Sequence, residues 1–308
     1  MTKPQTIAEK LLSRHNLAGS PVYAGDILEA RIDGAMCHYH AAEPMHELAV
    51  QAGFKDGLPR VWDTDRVFIL LDHHQPTLNQ AQADKNALIR REVERLGIKC
   101  FHDAEPGIAH QMMADYGLMR PGELVVGNDS HTISYGAINC GGAGITRADM
   151  LYVLLFGELW FQVPTSLKLV LDGTQPNYPI AKDIVLYLAG KYGDDFAGSM
   201  SMEFAGTLVP QLSIDSRMCL AAHGVEVDTR IAHDERVRLP QRDGSGVDLL
   251  QAVDAAQQRG LARAGRADEH DGLVRGDIEV DPAQHRQLTE ALPHPADGQD
   301  AHAALPAR

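Results

Sequence analysis

The chain has no two cysteines close enough to form a metal knuckle. Its four cysteines, Cys37, Cys100, Cys140 and Cys219, lie 63, 40 and 79 residues apart, and none forms a CxxC pair. Neither a zinc nor an iron–sulfur site can therefore be read from spacing, and the plain expectation is buried or free thiols in a reducing compartment. Basic residues are also scarce. Twenty-eight Lys and Arg stand against 42 Asp and Glu, a net charge of −14. A nucleic-acid groove leaves a basic footprint, so no nucleic-acid partner is expected. Long apolar runs are missing as well. The longest, around Met150–Pro164, is broken by Gly157 and Glu158 and is too short for a bilayer span, so no membrane is expected. The opening MTKPQTIAEKLLSRH lacks an apolar leader segment, so the expected location is cytoplasmic.

Aromatics run out part-way along. All 17 aromatic residues, all ten methionines and all eight lysines precede residue 228, and the last 80 residues hold ten arginines. A packed core needs large apolar groups, so losing these types together is hard to explain by folding. The missing types mostly have AT-rich codons, and a reading-frame shift in a GC-rich gene would produce the pattern. The alternative is a polar, helix-forming appendage such as DLLQAVDAAQQRGLARA. The expected organisation is an α/β region over residues 1–227, then a divergent, poorly ordered tail over 228–308. Hydrophobic gain in that tail is too small to offset chain entropy, apart from one amphipathic helix around Val247–Ala264.

What is present before residue 228 is alternation. TIAEKLLSRH carries apolar residues at helical spacing. RVFILLDHH is a continuous apolar run, suited to a buried parallel strand. NQAQADKNALIRREVERLG reads as a long helix closed by Gly97. IKCFHD, ELVVGNDSHT and SLKLVLDG read as further strands, with GIAHQMMADYG and PIAKDIVLYLAGKYG as helices. The alternation implies a mainly parallel sheet covered on both faces, a three-layer α/β/α arrangement. Sites in such sheets gather at the carboxyl ends of the strands.

Three polar clusters fall at those ends: Asp72-His73-His74, His110-Gln111, and Asp129-Ser130-His131-Thr132. A carboxylate beside an imidazole is a minimal acid–base unit, because the carboxylate fixes the tautomer and raises basicity. Two such pairs could also hold a metal or orient a metal-bound water. For any single pair a helix cap is the favoured reading, but three clusters at successive strand ends weigh against it. Other features are weaker. GAINCGGAGITRADM does not keep the GxGxxG spacing of a dinucleotide site, so its glycines are expected to let backbone approach a ligand or a helix. His38 and His40 could join a site, but a lone HxH reads more readily as an exposed loop. Glu203 and Glu226 read as solvated or salt-bridged positions in helix-like segments.

Taken in order, the motifs resemble the large subunit of the aconitase superfamily, in its 3-isopropylmalate dehydratase, homoaconitase and dimethylmaleate hydratase branch. The resemblance runs through the helix at Thr6–Leu12, the DHHQP of Asp72–Pro76, the GIAHQ of Gly107–Gln111 and the RPGELVVGNDSHT of Arg120–Thr132. It continues through Gly157–Pro164, the AKDI of Ala181–Ile184, the EFAG of Glu203–Gly206 and Leu212–Met218. It covers residues 6 to about 226 in the family's order.

The resemblance implies an aconitase-like α/β/α fold and a hydro-lyase acting on a 2-hydroxy di- or tricarboxylate such as 3-isopropylmalate or homocitrate. The family uses a 4Fe–4S cluster with one open iron as Lewis acid. Asp72 and His73 are then expected beside the departing hydroxide. His110 and the Asp129–His131 pair do similar work, Ser130 contacts substrate, and Glu226 lies near iron-bound water. A serine base and several substrate-binding arginines belong to a separate small, swivelling subunit. The chain departs from the pattern at Ala222, Asp228, Ile133 and His38-Tyr39-His40-Ala41. The family's three cluster cysteines lie in a later third that it does not reach. The expectation is a truncated large subunit, inactive alone and without its own cluster. Two alternatives stay open: a non-catalytic remnant, and a DHH-type metal-dependent phosphoesterase.

Overall fold

In the computed structural model, residues 3–103, 107–193 and 196–222 are described; the expectations about Glu226 and the tail, including its helix, lie outside them. Helix α1 (Ile7–His15) opens with a capping box in which Thr6 and Glu9 satisfy each other's backbone N–H groups. Strand β1 (Ile27–Arg31) is followed by β2 (Gly34–Cys37), a π-helical turn over Glu43–Glu47, and the short α2 (Leu48–Gln51). Next come β3 (Val67–Leu70), α3 (Gln80–Leu96), β4 (Cys100–His102), α4 (Ala109–Asp115) and β5 (Leu124–Gly127). A 3-10 helix spans Ser130–Ile138, followed by β6 (Gly141–Gly144), α5 (Arg147–Phe156) and β7 (Glu158–Gln162). The remaining elements are β8 (Ser166–Val170), α6 (Ala181–Tyr192), β9 (Ser201–Ala205) and α7 (Ile214–Ala222). No described helix is long and apolar enough to cross a membrane.

Five strands form one parallel sheet in the order β4-β3-β2-β5-β6. β2, β3 and β5 are buried along their whole length, as sheets covered on both faces require. Alternate residues enter two separate cores. Ala35, Val67, Ile69, Leu124 and Val126 meet Ile89 and Val93 of α3 and Met150 and Val153 of α5. Met36, Phe68, Leu70 and Val125 face the other way, against Met112 and Met113 of α4 and Tyr135. The sheet is thus the middle of three layers. Burying one such side chain stabilises the fold by roughly 1.5–3 kcal/mol.

The chain lays down β2, β3 and β4 in one direction, then returns to place β5 and β6 on the other side of β2. That reversal creates a topological switch point between β2 and β5, the position where α/β sheets bind ligands.

Three expectations need correcting. SLKLVLDG is a strand, but it pairs with β9 in its own two-stranded sheet, and it buries only alternate residues. Exposed Lys168 is incompatible with a strand covered on both faces. Glu203 lies in β9 rather than a helix, where its Oε1 accepts from the Ile7 N–H at 2.6 Å. The short strands β2 and β6 and the antiparallel pair β1–β7 were not read at all.

The described residues form two compact units. One comprises residues 3–103, 107–167, 197–203 and 213–222, and holds the five-stranded sheet. The other comprises residues 168–193, 196 and 204–212, and contains α6.

Candidate active site

The polar clusters do fall at the carboxyl ends of strands. Asp129 lies two residues past β5 and is the centre of the site. Its Oδ1 accepts the His131 backbone N–H at 2.7 Å, so it caps the 3-10 helix. The same oxygen meets His110 Nε2 at 2.9 Å and His131 Nδ1 at 3.2 Å. One carboxylate therefore both caps the helix and pairs with two imidazole rings.

Its other oxygen faces His38, immediately after β2. His38 Nε2 lies 3.3 Å from Asp129 Oδ2, but off the hydrogen-bonding direction, so neither ring nitrogen has a hydrogen bond among the described residues. His38 is only 2% exposed, which corrects the exposed-loop reading. Its burial follows from β2, a strand whose four residues are all covered. His40, two residues on, turns away to Glu43 (3.2 Å) and Arg147 (3.2 Å).

Glycines in β6 let the 3-10 helix sit on the sheet. A Cβ on Gly142 would lie 2.2 Å from the Thr132 carbonyl oxygen, and one on Gly144 would lie 2.8 Å from that of Asp129. The glycine-rich stretch thus serves close approach of backbone to backbone.

Asp72, two residues past β3, holds His73 Nδ1 at 2.7 Å on one oxygen. Its second oxygen accepts the Ala109 N–H at 3.0 Å. It therefore satisfies the first turn of α4, the helix that carries His110, and not the helix that directly follows its own strand. That helix, α3, is capped by Asn79. His73 stacks on Tyr39 (ring centroids 4.7 Å) and His38 (5.3 Å), which ties the two carboxylate groups together. His74 has its backbone in the left-handed region (φ 57°), and its ring meets Gln82 instead. Gln111 bonds Asp115 within α4 and takes no part in the site. Ser130 Oγ lies 3.4 Å from His131 Nδ1.

Burial drives the electrostatics. It pushes His38 down to about 4, against the pull of Asp129 and Asp72, so the ring is neutral at pH 7. His110 is lowered too, with burial outweighing its bond to Asp129. Burial works against the Asp129 charge, but the His131 N–H and the His110 ring hold its carboxyl at about 2. Tyr135 is fully buried, which pushes its hydroxyl far above 10; that hydroxyl lies 3.3 Å from His110 Nδ1.

The donor set does not suit an iron–sulfur cluster. The described residues include every cysteine, and the one group of three or more potential ligands among them is His110, Asp129 and His131. Cys37 and Cys140 are buried, which pushes their thiols up to about 12, far from the thiolate a metal needs. Sequence reading undervalued His38; the signal that could have found it was the short apolar run GAMC directly before it.

Compared with known proteins, residues 58–235 match the Aconitase family (aconitate hydratase). A protein named 3-isopropylmalate dehydratase large subunit 1, from Methanopyrus kandleri, is 37% identical over 226 residues, covering 73% of this chain and 53% of that one. The 3-isopropylmalate dehydratase large subunit of Aquifex aeolicus is 35% identical over 235 residues (75% and 53%). A probable methanogen homoaconitase large subunit from Methanothermobacter thermautotrophicus is 32% identical over 209 residues (68% and 49%). The chain spans about half the length of the curated relatives it matches.

Proposed function

The chain belongs to the aconitase family, and from that premise we propose that it supplies the acid–base half of a hydro-lyase large subunit. Its substrate class is a 2-hydroxy di- or tricarboxylate such as 3-isopropylmalate or homocitrate, and its partner is a separate small subunit. The observation that carries the reading is the pair of carboxylate–imidazole groups at the ends of β3 and β5, beside the switch point.

Dehydration removes a proton from one carbon and hydroxide from its neighbour, leaving a C=C bond and water. Asp72 fixes His73 through Nδ1–H and stabilises the imidazolium form, whose Nε2–H hands its proton to the departing hydroxide and leaves the ring neutral. Asp129, ionised and flanked by His110 and His131, holds both rings in place and stabilises positive charge on either. Ser130 and exposed His131 face incoming substrate from the start of the 3-10 helix. Glu226 is proposed to act beside them, and the small subunit supplies the serine base that takes the C–H proton.

The family's 4Fe–4S cluster serves as a Lewis acid when bound, but the cysteines here do not form its ligand set. The chain alone is therefore proposed to assemble no cluster and to turn over no substrate. That same observation favours a second reading, a non-catalytic remnant.

The test is reconstitution. The full chain is assayed alone, and again with a relative's small subunit and cluster-bearing C-terminal half, by loss of the unsaturated acid's ultraviolet absorbance. The proposal expects turnover only in the assembled mixture. Turnover by the chain alone, or a stoichiometric cluster spectrum from it after anaerobic treatment with iron and sulfide, contradicts it. An assembly that forms but never turns over leaves the remnant reading.

A further inference from the structure

We infer that His110, Asp129 and His131 form a binding site for one divalent d-block cation of the Zn²⁺ and Co²⁺ class. The inference goes beyond the hydro-lyase reading and does not rest on it, since it uses these side chains as ligands in the chain by itself. Their ligand atoms all lie within 4.8 Å of one another. His110 Nε2 and His131 Nδ1 stand 2.9 and 3.2 Å from the same carboxylate oxygen. Ligands about 2.0–2.1 Å from a tetrahedral ion are roughly 3.3 Å apart, so an ion needs little movement of these two pairs. Two imidazoles and a carboxylate suit zinc, cobalt or ferrous iron, whereas calcium and magnesium prefer all-oxygen sets.

The protons also have somewhere to go. For His110 Nε2 to ligate, its proton must move to Nδ1, where the Tyr135 hydroxyl stands 3.3 Å away and can accept it. For His131 Nδ1 to ligate, Nε2 carries the proton. The His131 side chain is 65% exposed, so water can serve that N–H and fill an open coordination position. Groups behind the ligands fix them, as metal sites generally require. The His131 backbone N–H holds the first oxygen of Asp129 at 2.7 Å, while His38 packs near the second without a hydrogen bond.

The test titrates the full chain, freed of any affinity tag and stripped with chelator, with Co²⁺ and then Zn²⁺. The expected result is one Co²⁺ per chain, a visible d–d absorption that Zn²⁺ abolishes, and no sulfur-to-cobalt charge-transfer band. H131A changes an exposed ring and should leave the fold intact by circular dichroism. H131A and D129N should each weaken Kd more than about 10-fold. C219S should change nothing. No stoichiometric binding, an unchanged Kd in H131A, or a thiolate charge-transfer band overturns the inference. Because no turnover is involved, a chain that binds no cation yet works in the assembled enzyme sinks this inference and leaves the hydro-lyase reading standing.

Discussion

Strands β2 and β5 carry a histidine–carboxylate pair at each end, and the two pairs are built differently. At the amino end, Asp33 precedes β2. It accepts His15 Nε2 at 2.6 Å and the Leu124 N–H, at the start of β5, at 3.0 Å. The other nitrogen of His15 meets the Leu11 carbonyl at 2.8 Å. Every polar atom of that buried imidazole is satisfied. At the carboxyl end, Asp129 gathers His110, His131 and His38, yet His38 is equally buried and has no hydrogen bond on either nitrogen among the described residues. The amino-end imidazole is satisfied by protein groups alone, whereas the carboxyl-end one is not, and we propose that the first pair is structural and the second functional.

The largest expected effect separates the two ends by catalysis. In an assembled enzyme, D129N and H131A should each lower kcat by about 10²-fold or more, the usual cost of lost acid–base work. D33N should leave kcat near wild type wherever the protein is folded. Steady-state kinetics on the three variants checks this, and unchanged turnover in D129N would reduce the carboxyl-end group to a helix cap.

Stability should show the reverse. D33N removes the partner of a buried imidazole and should cost about 1–3 kcal/mol in urea unfolding. H15A should cost a similar amount.

A smaller effect, with pH, sharpens the contrast. Burial alone would lower the pKa of His15, but its bond to Asp33 wins and raises it above 6.5. The stabilisation from His15 is therefore whole below 6.5 and fades as pH rises through the raised folded value. The carboxyl of Asp33 is lowered below 3.8 despite burial, chiefly by the His15 bond. Its contribution is present above 3.8 and fades as pH falls through the lowered value. The stability gap between wild type and D33N should thus be wider at pH 5.5 than at pH 8. A gap that widens toward pH 8 would mean His15 is neutral in the folded protein.

The two ends were not equally legible. RVFILL and ELVVG announced themselves as buried strands because their apolar runs are unbroken, and the polar residues after them marked Asp72 and Asp129. The helix over Gln80–Leu96 was fixed by its length and by Gly97 in the left-handed region. β2 escaped because GAMC is four residues long, and β6 because in GGAG Ala143 alone has a side chain, too little to set a pattern. Missing β2 hid the switch point, and with it the burial of His38. The pair His15–Asp33 was also invisible, since 18 residues and a change of element separate its members. Which helix Asp72 caps depends on tertiary packing, not on spacing.

The most direct test compares urea unfolding of D129N and D33N in the full chain at pH 7. Asn caps a helix about as well as Asp, and burial keeps His38 and His110 below 6.5, so they need no counter-charge. D129N should therefore shift stability by less than about 1 kcal/mol, while D33N costs about 1–3 kcal/mol. If D129N costs as much as D33N, the carboxyl-end cluster is part of the scaffold, and the distinction between a structural and a functional pair fails.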